Sequence, residues 1–288
     1  MNNIHTLMIA AALIAAAPLQ AGTFLEAPAE AKTKAQAAKA DFIVMAYGGD
    51  WDRLGKSYLA RCWKPSVKLI SASTYLSIAV YPQNPDKKLQ EQIDRQQKGV
   101  NINVSSLPSV HLFDASGFCY ATLSGDQLPR TPQALADAIA NLQSLRQKRD
   151  ALIGQSASKQ GVEKAKLLGR AAEIPGIARN QSIIKDIEKC DSTDKSGYVK
   201  RLTFSIWPLH DCLKKPKDEA LAQLDKELQT PSLTAEQKQK IYALRGTVLR
   251  RNKATAEELK QNYDKMRALA PHSMLGKAAV NAARVYAK

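Results

Sequence analysis

Cysteine is the residue type in this sequence best suited to redox or nucleophilic chemistry, and the chain has four of them. Cys62 and Cys119 fall in the first half, and Cys190 and Cys212 fall in the second. A disulfide between Cys190 and Cys212 would close a loop of about twenty residues and would stabilise the fold by roughly 3 kcal/mol. We favour this bridge over the alternative, which is a pair of buried thiols. The spacing leaves open whether Cys62 and Cys119 are paired.

A lone nucleophilic cysteine needs a lowered thiol pKa, which a helix N-terminus or nearby cations can supply. Cys62 lies roughly ten residues into a predicted helix, beyond the reach of the N-terminal dipole. Arg61 and Lys64 are close in sequence, but they help only if they point toward the sulfur. We therefore favour a core or disulfide role for Cys62, with an exported monothiol redox enzyme as the alternative.

Metal and hydrolase motifs are weak in this sequence. Cys190, His210 and Cys212 offer ligands that zinc accepts, but their spacing fits no compact zinc site and a fourth ligand is not evident. His111 lies within an apolar run and is expected to be a hydrogen-bonded, semi-buried side chain. No Gly-x-Ser-x-Gly elbow, P-loop or dinucleotide fingerprint occurs. We predict no metal and no cofactor, with an exported hydrolase as an alternative that no motif supports.

The elements that would position these residues begin at Asp41. Short β-prone runs alternate with helical segments, and the spacing of Leu54, Tyr58 and Cys62 indicates a helix after the first strand. A hairpin is expected around Ser116-Gly117. The predicted order is β-α-β-α-β-β-α, with strands at 42–47, 75–81, 106–114 and 118–125 and helices at 51–63, 86–98 and from Thr131-Pro132 past Leu145.

The turn after the first of these strands has the sequence Trp51-Asp52-Arg53-Leu54-Gly55-Lys56. The dipeptide Leu107-Pro108 precedes the hairpin. Over residues 41 to about 147 this pattern resembles the thioredoxin superfamily, whose turn reads W-C-x-x-C-K and whose third strand follows a cis-proline. The resemblance implies a thioredoxin-like α/β domain and a cis bond before Pro108. Asp52 and Gly55 replace both cysteines, so the resemblance also implies that this site performs no dithiol-disulfide exchange.

The same resemblance implies a groove that contacts a peptide or protein through Trp51, Asp52, Arg53, Lys56 and Pro108. A carboxylate at a helix N-terminus complements the helix dipole, so Asp52 is expected to be structural and not catalytic. We predict a redox-inactive binding protein and expect that it is not an enzyme.

Residues 148–288 contain few strand signals and are predicted to form an all-helical domain. Thr234 with Gln237 and Thr255 with Glu258 match the capping-box pattern that begins a helix. Helices are expected at 216–229, 235–250, 256–269 and from Ser273 onward. These hairpins faintly resemble tetratricopeptide repeats, although no 34-residue period is present.

The positive charge is concentrated in this second half. The chain carries +15 overall, and residues 151–288 contain 26 basic and 15 acidic side chains. Such a surface favours polyanions such as nucleic acid or sulfated glycans. The candidate polyanion-binding residues are Arg245, Arg250, Arg251, Lys253 and Lys260. The alternative is a set of amphipathic helices with solvated charged faces.

The first residues predict export. An apolar stretch from Leu7 to Leu19 ends in small residues at Ala21, as in a cleaved signal peptide. No later run approaches the roughly 20 apolar residues of a membrane-spanning helix. We predict a signal peptide at 1–21, a thioredoxin-like domain at 22–147 and a helical domain at 148–288, in a periplasmic or secreted protein.

Overall fold

The computed structural model describes residues 22–25, 27–178 and 181–286, so the predicted signal peptide lies outside the described residues. The described chain divides into two compact units. The sheet unit comprises the residues up to Arg146 together with Gly176–Ala178, and the helical unit comprises the remainder.

A mixed five-stranded sheet forms the centre of the sheet unit, with the strand order β1-β3-β2-β4-β5. β3 is parallel to β1 and β2, whereas β4 is antiparallel to β2 and β5. The strands are β1 (Thr23–Phe24), β2 (Phe42–Tyr47), β3 (Tyr75–Val80), β4 (Ser109–Phe113) and β5 (Cys119–Ser124).

Helices connect the strands in the predicted order, so the β-α-β-α-β-β-α prediction is confirmed. They are α1 (Pro28–Ala38), α2 (Arg53–Tyr58), α3 (Lys64–Ser66), α4 (Lys87–Gln96) and α5 (Pro132–Ser156). A π-helical turn, Leu59–Trp63, joins α2 to α3. Short 3-10 turns occur at Gly49–Trp51 and Gly125–Gln127.

The sequence did not predict β1 and α1. β1 has only two residues, and α1 consists largely of alanine and charged or polar residues without large apolar side chains. α1 nevertheless packs through Ala31 and Ala35, which are fully buried in one cluster with Phe42 and Phe113. Small side chains allow this close approach, but they give a weak apolar periodicity in the sequence.

β2 is the central strand and is buried on both faces. Phe42 stacks on Phe113 of β4 with ring centroids 4.7 Å apart, and Ile43 and Met45 alternate toward the opposite face. A polar anchor at the start of β2 holds α5: Asp41 accepts from the Tyr120 hydroxyl at 2.9 Å and pairs with Arg146 at 3.1 Å. Burial raises the pKa of the Asp41 carboxyl.

The described part of the helical unit contains helices and no strand. Besides the end of α5, these are α6 (Gly161–Ala172), α7 (Gln181–Cys190), α8 (Tyr198–Thr203), α9 (Lys217–Leu228), α10 (Ala235–Arg251), α11 (Ala256–Leu269), α12 (Met274–Val285) and a 3-10 helix, Trp207–Lys214. Both predicted capping boxes are present, at Thr234 and at Thr255. The four predicted C-terminal helices are therefore confirmed to within about a residue of their bounds.

The predicted Cys190–Cys212 disulfide is absent, because both residues are free thiols. Cys190 packs against the apolar cluster of α6, α7 and α8. Cys212 is fully buried in a different cluster, formed with α9 and α10. The two sulfurs thus contribute to separate clusters, as in the alternative of buried thiols.

Candidate functional site

Four of the five residues predicted to form the groove lie in the turn between β2 and α2 or in the first turn of α2. Trp51 is 51% exposed, and its indole N–H donates to the backbone oxygen of Tyr81 at 2.9 Å. Lys56 pairs with Asp50, with Nζ 2.6 Å from Oδ1. Arg53 is exposed and forms no ion pair with any described residue.

Asp52 caps α2, and its predicted structural role is confirmed. The side chain is only 7% exposed. Oδ1 accepts from the Gly55 N–H at 2.7 Å and Oδ2 accepts from the Gly48 N–H at 3.0 Å. A Cβ atom at position 55 would collide with the Asp52 carboxylate, so glycine is needed there. Both carboxylate oxygens of Asp52 therefore accept hydrogen bonds from backbone N–H groups.

A groove of about 370 Å³ lies beside this turn. Of the predicted groove residues, Pro108 alone lines it. Trp51 and Asp52 lie on the neighbouring turn, and Arg53 and Lys56 lie at the start of α2 without lining the groove. The predicted cis bond is confirmed between Leu107 and Pro108. The lining residues are Leu54, Ser57, Tyr58, Arg61, Cys62, Pro108, Gly125, Leu128 and Arg130.

Two walls and a floor build this groove. One wall comes from α2 and the π-helical turn, and the other from the segment that follows β5. The register pairs Ser109 with Ser124, which places Pro108 next to Gly125 at the same end of the β4–β5 hairpin. The Cys62 thiol donates to the Pro129 oxygen across 3.6 Å and so connects the two walls.

Sequence reasoning did not assign most of these residues to a site. Leu54, Tyr58 and Cys62 were recognised as a helical stripe, and the groove runs along that stripe. Leu54 is 75% exposed, which is high for a large apolar side chain at the start of a helix. The contribution of Leu128 and Arg130 depends on strand register, which the local sequence does not encode.

The groove thiol is not activated. Cys62 is 2% exposed, and burial raises the pKa of the thiol. Burial also raises the pKa of the neighbouring Tyr58 hydroxyl. Cys119, on β5, is a half-buried thiol whose pKa burial likewise raises. Since the thiolate is the nucleophile, the monothiol alternative has no support in these surroundings.

His111 lies within the sheet, on β4. It is only 1% exposed, and its ring nitrogens lie 2.9 Å from the Ser109 hydroxyl and 3.2 Å from the Thr122 hydroxyl. The prediction of hydrogen bonding is confirmed, although the ring is more deeply buried than expected. Burial lowers the pKa of His111 to about 4, so the imidazole is neutral at physiological pH.

The candidate polyanion-binding residues of the helical unit differ in their ion-pair and hydrogen-bond partners. Arg245 pairs with Asp225 at 2.9 Å and donates to Asn262, and Lys260 pairs with Asp264 at 3.2 Å. Arg251 donates to the backbone oxygen of Leu213. The other two, Arg250 and Lys253, are exposed and form no ion pair among the described residues.

The described residues contain no group of three or more histidine, cysteine or carboxylate side chains arranged to hold a metal ion. Within the same residues, none of the helices has the length and apolar character needed to cross a bilayer.

Comparison with known proteins gives one solved structure of interest. A chain titled "DsbH Oxidoreductase" aligns with a TM-score of 0.34 and 14% sequence identity, covering 43% of this chain and 88% of that one. No protein-family model matches the chain, and no curated protein does. A TM-score this low establishes neither a shared fold nor a shared function.

Proposed function

We propose that this chain is an exported, redox-inactive binding protein whose thioredoxin-like sheet unit holds a peptide segment of a protein partner in the groove above Pro108. The observation that carries the proposal is the exposure of Leu54 at the rim of a largely apolar groove. Exposed apolar surface next to a concave site is typical of interaction surfaces.

The surroundings of the turn support the redox-inactive part of the proposal. Asp52 and Gly55 occupy the positions where the thioredoxin pattern has its sulfurs, and the Asp52 carboxylate already caps α2. The nearest sulfur, Cys62, is a buried thiol with a raised pKa. A protein that keeps the turn but lacks an accessible thiolate is suited to binding and not to exchange.

Export in the proposal rests on the predicted signal peptide, and the surroundings of Gly22 are compatible with cleavage after Ala21. The Gly22 nitrogen donates to the backbone oxygens of Ile70 at 3.0 Å and Val67 at 3.3 Å. Cleavage after Ala21 would turn this amide into an α-ammonium group that retains both acceptors. N-terminal sequencing of the protein purified from its producing cells should begin at Gly22, and an intact Met1 would contradict export with cleavage at this bond.

Peptide binding is tested with a displayed library of random heptapeptides selected on the immobilised mature protein. The selected peptides are then labelled with fluorescein, and their affinity is measured by fluorescence anisotropy. Leu54→Asp should weaken binding at least about tenfold, because it places a charge on the apolar rim. Met274→Asp, at an exposed apolar residue of the helical unit, is the control and should leave the affinity unchanged.

A failure to select any peptide, or selected peptides that bind Leu54→Asp as tightly as the wild type, would overturn the proposed site. A reductant-coupled insulin assay tests the redox-inactive part separately. The wild type should reduce insulin no faster than the reductant alone. Activity that persists in Cys62→Ser/Cys119→Ser would contradict redox inactivity and assign exchange to Cys190 and Cys212. Activity that disappears in that variant would contradict redox inactivity and assign exchange to Cys62 and Cys119.

A further inference from the structure

Building on the proposed function, we propose that the groove selects segments in which an acidic side chain lies next to an apolar one. The charged residues that line the groove are Arg61 and Arg130, and both are cations. The other lining side chains of any size are Leu54, Tyr58, Leu128 and the ring of Pro108. The site therefore combines an apolar floor with positive charge.

The two arginines come from opposite walls. Arg61 lies on the π-helical turn, and Arg130 lies two residues before α5. Neither forms an ion pair with any described residue, whereas Lys56, on α2 beside the groove, is paired with Asp50. A carboxylate between the walls would thus meet guanidinium groups whose donors are not already used by acidic partners.

An apolar surface strengthens the attraction between these guanidinium groups and a carboxylate. A guanidinium group binds a carboxylate through two parallel hydrogen bonds, and the interaction strengthens when a ligand displaces water around it. An apolar side chain placed on Leu54 and Leu128 would displace that water. The apolar and acidic parts of the ligand should therefore act together, and a ligand with only one of them should bind weakly.

The charge pattern is tested with the peptides selected as described above. Their sequences should be enriched in Asp or Glu within two positions of a large apolar residue. Changing each Glu to Gln in a selected peptide should weaken its binding to the wild type at least about tenfold, and moderate salt should weaken the acidic peptide more than its Gln counterpart.

A charge reversal separates recognition from misfolding. Arg61→Glu/Arg130→Glu should lose the acidic peptide and gain affinity for the same peptide with Lys in place of Glu. A variant that has lost its fold cannot gain affinity. Lys88→Glu, at an exposed cation of α4 that does not line the groove, is the matched control and should retain the wild-type preference.

The outcomes distinguish this inference from the proposed function. Peptides that bind at Leu54 but show no preference between Glu, Gln and Lys would overturn the inference and leave the binding function intact. An acidic preference that survives the double arginine variant would overturn the assignment to Arg61 and Arg130. A library that yields no groove-dependent peptide would overturn both.

Discussion

The groove of the sheet unit and the basic surface of the helical unit differ in the ion pairing of their cations. The helical unit holds most of the net charge, yet several of its cations are paired within the unit, among them Arg245 with Asp225 and Lys260 with Asp264. The groove has only two cations, Arg61 and Arg130, and neither is paired among the described residues. The net charge of a unit therefore does not by itself identify which of its cations are available to a ligand.

Individual buried polar groups of the two units also have different partners. In the sheet unit, Asp52 is used as a helix cap and His111 is held neutral within the sheet. In the helical unit, the buried Asn262 accepts from Arg245 and donates to the backbone of α10. The following predictions test the roles assigned to these buried groups and to the paired and unpaired cations.

Acid should destabilise the sheet unit through His111. Its pKa is lowered from 6.5 to about 4, so the unfolded chain binds a proton in this interval and the folded chain does not. The stability from neutral His111 is complete above pH 6.5 and is lost as the pH falls toward 4, by about 3 kcal/mol in total. Chemical unfolding at several pH values, followed by the fluorescence of buried Trp63 in a Trp51→Phe/Trp207→Phe background, measures this loss.

His111→Gln in that background should have a flatter stability profile between pH 6.5 and 4. The control is His210→Gln, which changes an exposed histidine of the helical unit and should preserve the wild-type slope. Identical pH profiles for His111→Gln and its parent would contradict the burial of a neutral imidazole.

Removal of the buried cap should be the next largest effect. Asp52→Ala should lower the free energy of unfolding by about 2 kcal/mol, because it deprives both the Gly48 and Gly55 N–H groups of their acceptor. Asp86 caps α4 through one exposed bond to the Leu89 N–H, so Asp86→Ala should cost about 1 kcal/mol or less. Denaturant unfolding compares the two variants, and equal losses would show that Asp52 is an ordinary surface cap.

Loss of a paired cation should lower the free energy of unfolding more than loss of a groove cation. Arg245→Ala leaves the buried Asn262 oxygen without this donor and should destabilise the helical unit by roughly 1 kcal/mol. Arg61→Ala and Arg130→Ala should each change stability by less than about 0.5 kcal/mol, since neither holds an internal ion pair. Denaturation curves for the three variants test the contrast, and a large loss at either groove arginine would mean that it is structural.

The smallest expected effect concerns polyanions, whose binding by the helical unit stays a prediction. Each cation that contacts a phosphate contributes about 0.9 to the slope of log affinity for duplex DNA against log salt concentration. Arg250→Gln and Lys253→Gln should each reduce the slope by about that amount, whereas Arg245→Gln and Lys260→Gln should leave it unchanged. Filter binding over a salt series measures the slopes. Equal reductions from all four variants would contradict the division into paired and free cations.

The order of elements could be predicted because its signals are local. Capping boxes at Thr234 and Thr255 marked helix starts that the structure reproduces, and the alternation of apolar runs located β2 to β5. α1 could not be predicted because it packs through alanines, whose burial depends on the strands they contact. The disulfide prediction was wrong because loop spacing does not reveal that Cys190 and Cys212 pack in separate clusters.

Only part of the site could be predicted. The structural role of Asp52 was predicted from the local sequence, and the cis bond before Pro108 was predicted from the resemblance. The groove itself requires Gly125, Leu128 and Arg130 to face the π-helical turn, which depends on the register of β4 with β5. The sequence also does not show which arginines are available to a ligand, because pairing with an acidic side chain depends on the folded structure.

The most direct test is to map a selected acidic, apolar peptide onto the protein by amide chemical shifts in NMR. Our account predicts shifts in α2, in the π-helical turn Leu59–Trp63, around Pro108 and from Gly125 to Arg130, and their loss in Leu54→Asp. Shifts that occur instead in the helical unit, or a bound peptide that leaves the groove amides unchanged, would contradict it.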